Sequence, residues 1–196
     1  MMTAEMVTPS AALELLSNMY LCKPSIKAIK NWKTALSEDT PVFLHELKEA
    51  LSKINTSSKA ELKELLWEYT RLFIGPYKLP CPPWESVYTS PKHLMMQDSA
   101  DQVLQLYREA GLSLETPGIM PDHIGAELNF LALLLQKAQL ETDDKEKFKE
   151  LTDNFLNNHI LKWIPDFTRD MEDAAEDRFY KALARVTRNI TEHIGK

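Results

Sequence analysis

Apolar residues recur at spacings of three and four along most of the chain and hardly anywhere in alternation, so the pattern predicts helices throughout. Thr8-Pro9 reads as an N-cap with proline at the first helical position, ahead of Ala12, Leu15, Leu16, Met19 and Tyr20. Pro24 ends that helix and Ser25 caps the next, with Ile26, Ile29, Trp32 and Leu36 inward. Thr40-Pro41 repeats the first device before Phe43, Leu47, Ala50, Leu51 and Ile54. Ser58-Lys59-Ala60-Glu61 matches a capping box, and the helix behind it carries Leu62, Leu65, Leu66, Tyr69, Leu72 and Phe73 on one stripe. Gly75, tolerant of a left-handed backbone, and Pro76, lacking an amide donor, stop it.

The stretch 72–91, LFIGPYKLPCPPWESVYTSP, breaks the pattern. It holds five of the chain's eleven prolines, and a run of that length without helical period is uncommon in a compact domain unless it is functional or disordered. Trp84, Val87 and Tyr88 argue for packing, so the run is expected to lie against the helices and present a shaped surface.

Asp98 is expected to cap a helix carrying Val103, Leu106, Tyr107 and Ala110, closed by Gly111 and Leu112. The connection 113–120 contains Pro117 and Gly118 and reads as a hinge between an N-terminal lobe, 1–112, and a C-terminal lobe, 121–196. Pro121 and Asp122 suit a helix start, where negative charge meets the dipole; from Ile124 through Leu128, Leu131 and Leu135 that helix is apolar nearly all round and is expected at the centre. Asp143-Asp144-Lys145-Glu146 opens another, through Phe148, Leu151 and Phe155 toward His159, Leu161 and Trp163, with Pro165 breaking it. A last helix over 166–194 has an acidic first half and a basic second half, as the dipole favours, so its charges read as structural. The fold class is all-α: one domain over 1–196, a compact multi-helix bundle of two lobes.

Composition narrows the function. A chain of 196 residues buries roughly 70% of its unfolded surface, enough for a core without staples. Cys22 and Cys81 make no disulfide framework and no zinc-type spacing, which suits a reducing compartment. The net charge of −6 argues against a nucleic-acid surface and leaves room for a basic partner. The N-terminal stretch has no basic n-region and carries Glu5 and Glu14, and no apolar run reaches the ~18 residues of a membrane span. A cytoplasmic protein is expected.

Candidate chemistry is sparse. No glycine-rich phosphate loop exists. His123 and Glu127, four residues apart, can share one helix face and a metal, but two ligands do not make a site; alternatively Asp122 caps or charges the helix start and His123 is partly buried and hydrogen-bonded. Cys81 as a nucleophile needs a base such as His123 within reach, which sequence does not show. His159 and Trp163 read as a packing pair. Met95, Met96 and Met120 flank both special stretches, where flexible thioethers suit a surface for apolar peptides or simply fill the core.

Four motifs in order carry a resemblance: Tyr69-x-x-Leu72-Phe73-x-Gly75-Pro76; Pro80-x-Pro82-Pro83-Trp84-x-Ser86-Val87-Tyr88; Pro121-Asp122-His123-x-x-x-Glu127-Leu128; and Phe155-Leu156 with His159-x-x-x-Trp163 and the closing acidic helix. Through them the chain resembles the TorD/DmsD family of redox-enzyme maturation chaperones, relatives of the NarJ group. One departure is that Met120 and Pro121 directly precede Asp122, where the family usually has a glutamate before the proline and one residue after it. The resemblance implies an all-helical protein that is not an enzyme and holds no cofactor or metal. Its implied partners are the twin-arginine leader peptide and the apo form of a molybdopterin enzyme's catalytic subunit, of the dimethyl sulfoxide reductase type. The implied leader-binding positions are Tyr69, Leu72, Phe73, Pro83, Trp84, Tyr88, Asp122 and His123, with Glu127 a further candidate. Exchange of lobes across the hinge would give a homodimer. Two other readings stay open: a small hydrolase or nucleotide-binding protein using Asp122, His123 and Glu127, and a helical adaptor for a folded partner.

Overall fold

The computed structural model describes residues 8–36, 40–76, 78–91, 95, 98–114 and 118–195, and among these every named element is helical. The first helix, α1 (Pro9–Leu21), begins where the Thr8 hydroxyl accepts the Ala11 amide, and α2 (Ile26–Ala35) where the Ser25 hydroxyl accepts that of Ala28. Thr40-Pro41 departs from expectation. Pro41 leads into a 3-10 turn, Val42–Leu44, before α3 (His45–Lys53); the tighter turn leaves Phe43 exposed, and the His45 ring bonds the Thr40 carbonyl at 2.8 Å.

In α4 (Lys59–Phe73) the Ser58 hydroxyl accepts the Glu61 amide at 3.3 Å. Glu61 does not complete the box; its carboxylate takes the Asn55 amide at 3.0 Å, while the Ser58 amide goes to the Asn55 carbonyl. Leu66, expected inward, is exposed, and Glu68 is buried on that helix instead. Gly75, at φ 98°, closes the helix by returning its amide to the Thr70 carbonyl.

The proline-rich run contains a five-residue helix, α5 (Glu85–Thr89). Asp98 is the first residue of α6 (Asp98–Glu109) rather than its cap, and Gly111, at φ 66°, turns the chain so that the Leu112 amide reaches the Tyr107 carbonyl at 2.9 Å. Residues 115–117 of the expected hinge, and Met96, lie outside the described residues. The cap of α7 (Ile124–Gln139) is His123, not Asp122: its Nδ1 accepts the Gly125 amide at 3.0 Å. The helix is central, as its all-round apolar pattern predicts, and packs on α1, where the Ser17 hydroxyl donates to the Gly125 carbonyl at 2.6 Å.

Pro165 does not break the chain. α8 (Lys145–Phe155) passes through a π turn, Leu156–Ile160, into α9 (Leu161–Ala174), and Pro165 sits inside α9. Proline removes one helical bond there, but Trp163, Ile164 and Phe167 are fully buried around it, and helices in proteins are held mostly by packing. The expected single helix over 166–194 is two. Ala175 is extended, and α10 (Arg178–Ile194) starts at Asp177, whose carboxylate accepts the Phe179 amide at 2.7 Å.

Two residues of α4 hold that break open. Arg71 forms a bidentate pair with Glu68, both bonds at 2.9 Å, and donates to the Ala174 carbonyl at 2.7 Å; Glu68 accepts the Glu176 amide at 2.6 Å. The acidic and basic halves therefore face each other across a hairpin, with Glu172 accepting from Arg185 at 2.6 Å and Arg188 at 3.0 Å. The charges are structural, but by side-to-side pairing rather than along one dipole. Buried side chains from α1 to α10 make one contiguous core.

A Cβ placed on Gly125 would lie 2.5 Å from Leu21 Cγ and 3.1 Å from the Ser17 carbonyl. Gly125→Ala is therefore expected to prise α1 from α7 and lower stability by about 1–3 kcal/mol, read from the urea midpoint at unchanged slope.

Candidate functional site

The two special stretches meet. Trp84 and His123 form an isolated antiparallel bridge, the Ile124 amide donates to the Pro83 carbonyl at 2.9 Å, and the Glu85 amide donates to the Asp122 carbonyl at 2.9 Å. Asp122 Oδ2 accepts the Ser86 amide at 3.1 Å. Asp122 thus stands at the start of α5, a helix that no side chain of its own caps, rather than at the start of the helix that follows it. The two rings of Trp84 and His123 then lie edge to face at 6.1 Å.

This junction forms one wall of a pocket of about 310 Å³. Its inner surface comes from Tyr20, Tyr69 and Phe73, all buried, and its mouth from Ile74, Met95, Met120 and Lys23. The Tyr69 hydroxyl donates to the Tyr20 carbonyl at 2.9 Å, tying the end of α1 to α4, and Phe73 stands edge-on to both tyrosine rings at 5.3 and 5.9 Å. Among the described residues lining it, Lys23 carries the one ordinary charge. Burial pushes the His123 imidazole down from 6.5 to about 4, so at neutral pH it is uncharged.

Of the positions implied by the family motifs, Tyr69, Phe73, Trp84 and His123 line this pocket. Leu72 and Pro83 are buried. Tyr88 packs inward on Trp163 and Phe167, at 5.6 and 6.1 Å, and borders a separate polar cleft with Glu85, Ser99 and Lys162. Asp122 and Glu127 are wholly buried. Asp122, implied as a leader-binding position, therefore does not face the pocket, because its side chain turns inward to the first turn of α5. Met95 and Met120 stand at the pocket, in keeping with their flanking positions.

Behind the wall lies a polar knot that sequence reasoning missed. His159 and Trp163, expected to pack on one another, each meet a buried acid: His159 Nδ1 lies 2.9 and 3.1 Å from the two Glu85 oxygens, and the Trp163 indole donates to Glu127 Oε2 at 2.8 Å. Burial pushes Glu127 well above the ordinary carboxylate range, and the neighbouring Glu85 pushes it further. Burial also raises Asp122, against the pull of Ser86. The only sequence signal at Glu85 is an acid between Trp84 and the Ser86-Val87-Tyr88 stretch. Tyr20, Leu21 and Lys23 carried no signal, since the end of α1 reads as ordinary helix.

The chain is thus an all-helical bundle with an aromatic pocket walled by a proline-rich turn. The family model described as nitrate reductase delta subunit matches residues 33–169, and the chain belongs to that family. It is 35% identical over 142 residues to the Tat proofreading chaperone DmsD of Salmonella typhi, covering 71% of this chain and 65% of that protein, so the match spans slightly less than two thirds of that relative. It is 26% identical over 164 residues to the chaperone protein TorD of Vibrio parahaemolyticus, covering 81% of this chain and 75% of that one. The crystal structure of a candidate redox enzyme maturation protein from Archaeoglobus fulgidus superposes with a TM-score of 0.65 at 20% identity, over 100% of this chain and 99% of that one, and bears out the all-α fold. The resemblance to the TorD/DmsD group seen in the motifs is borne out by these matches. Among the described residues no helix is long and apolar enough to cross a membrane.

Burial of the neutral His123 imidazole makes folding stability depend on pH. Its contribution is present in full above pH 6.5 and is lost as pH falls toward 4, because the unfolded chain binds the proton more tightly. His123→Asn keeps a capping oxygen but does not titrate. Unfolding stability of the wild type is expected to fall between pH 6.5 and 4 by up to about 2–3 kcal/mol more than that of the variant.

Proposed function

We propose that the protein is a cytoplasmic chaperone, without catalytic activity, that binds the twin-arginine leader and apo form of a molybdopterin oxidoreductase catalytic subunit of the dimethyl sulfoxide reductase type. It delays export of that subunit and assists cofactor insertion. The observation that carries the reading is the 310 Å³ pocket lined by Tyr20, Tyr69, Phe73, Trp84 and His123, supported by membership of the family and by the names of its DmsD and TorD relatives.

A leader offers an apolar segment and a pair of arginines. The apolar segment fits the aromatic pocket, where area removed from water supplies the affinity. The arginines are not expected inside it, since Lys23 would repel them. The chain's net charge of −6 draws the basic leader at long range, and added salt weakens that encounter.

The enzymatic readings lack support in the geometry. Asp122 and Glu127 are buried and bonded to Ser86 and Trp163. The buried Cys81 thiol is pushed far above its ordinary value, chiefly by burial, whereas a nucleophile needs the thiolate.

Titration of a synthetic twin-arginine leader peptide by calorimetry is expected to give saturable binding. Absence of binding at high micromolar concentration, to the peptide and to the apo partner alike, would overturn the reading. Trp84→Ala should weaken binding by about 2 kcal/mol, roughly thirtyfold, with the helical circular dichroism intact. Leu72→Ala, in the core, should instead cost about 2–5 kcal/mol of stability. A folded partner whose binding the leader does not compete for would favour the adaptor reading.

A further inference from the structure

The acids behind the pocket wall outnumber the cations. Glu85 places both carboxylate oxygens on His159 Nδ1 and stands beside Glu127, whose partner Trp163 lies one helical turn from His159. Glu127 Oε2 is filled by the Trp163 indole, and among the described residues its Oε1 meets no N–H or O–H donor. Two neighbouring acids out of water repel when both are charged, which favours a proton held on the pair. Glu127 is its holder, since burial and Glu85 both favour its neutral form.

The other groups facing this pair do not relieve it. Asp122 adds a further acid beside both, and Tyr107 of α6 faces Glu127 with a phenol that stays neutral. Tyr88, Asp98 and Lys162 border Glu85 only from the outer cleft. The knot joins three elements, since Glu85 opens α5, Glu127 lies on α7 and His159 is in the π turn. Glu85 also directly follows Trp84, the residue bridged to His123 in the pocket wall.

We propose that Glu85, Glu127 and His159 form a proton-held latch that positions the wall of the peptide pocket. With one proton shared between the glutamates the latch is closed and Trp84 stands against His123; removal of that proton sets two carboxylates against each other, drives Glu85 away and releases the wall. None of the three lines the pocket, so they are positioning residues, and their role in binding rests on the pocket's reading as a peptide site.

Two readouts test the latch. The first is the affinity of a synthetic twin-arginine leader peptide between about pH 6 and 9. Wild-type affinity is expected to fall as pH rises, and Glu127→Gln to remove that fall, because the amide mimics protonated Glu127 by donating to Glu85 while accepting from Trp163. Glu85→Ala should weaken binding at least about tenfold, a loss of 1.4 kcal/mol. If that variant does not fold, Glu85→Gln serves, keeping the shape without the charge; its affinity should also lose the alkaline decline.

The second readout needs no peptide. The His123 ring protons feel the Trp84 ring at 6.1 Å, and their NMR shifts are expected to move in the alkaline range in the wild type and to hold still in Glu127→Gln. The imidazole itself titrates near pH 4, well clear of that range. Shifts that move as expected in a protein that binds no leader would uphold the latch and fail the peptide reading. Identical pH dependence of affinity and of the His123 shifts in wild type and Glu127→Gln would overturn the latch.

Discussion

Asp122 is fully buried because both its carbonyl and its carboxylate are engaged by the first turn of α5, on the Glu85 and Ser86 amides. A helix of five residues does not stand alone in water, since nucleation is unfavourable and so few bonds follow it. An acceptor supplied from 36 residues further along the chain makes it stand. Once α5 is held there, Pro83 meets Ile124, Trp84 meets His123, and the proline-rich run becomes a wall. The aromatic floor from α1 and α4 would be an open dish without it.

This explains which parts of the fold were legible. Caps are local, so Thr8, Ser25, Ser58 and the glycine stops at 75 and 111 could be read from neighbouring residues and stand where expected. Several of the misread features are decided at a distance. The break at Ala175 is satisfied by Glu68 and Arg71 of α4, some hundred residues earlier. Pro165 is tolerated because of what packs around it. Glu68 reads as surface on the helical wheel, yet it is buried because it has an arginine and a free amide to meet.

The site divides in the same way. Tyr69, Phe73, Trp84 and His123 sit on motifs and line the pocket, whereas Tyr20, Leu21 and Lys23 enter it only because α1 crosses α7 at Gly125. Asp122 and Glu127 were visible as acids in an apolar setting, but their partners were not, because the sequence separates Asp122 from Ser86 and Glu127 from Trp163 by 36 residues each. The polar knot is weak as a source of stability, since buried ion pairs repay little beyond their desolvation. Its bonds are directional, however, and an apolar wall alone would slide.

The spacing around Asp122 fits the geometry. Met120 through His123 form a tight turn, closed by the His123 amide on the Met120 carbonyl at 3.1 Å. Proline at the second position of such a turn presets the backbone, and aspartate is well tolerated at the third. Placing Pro121 directly before Asp122 therefore gives the carboxylate a fixed direction of approach to α5 while keeping the Met120 side chain at the pocket mouth. A residue inserted between them would turn one of the two away, so in this chain the short spacing links the buried acid to the half-buried thioether at the pocket.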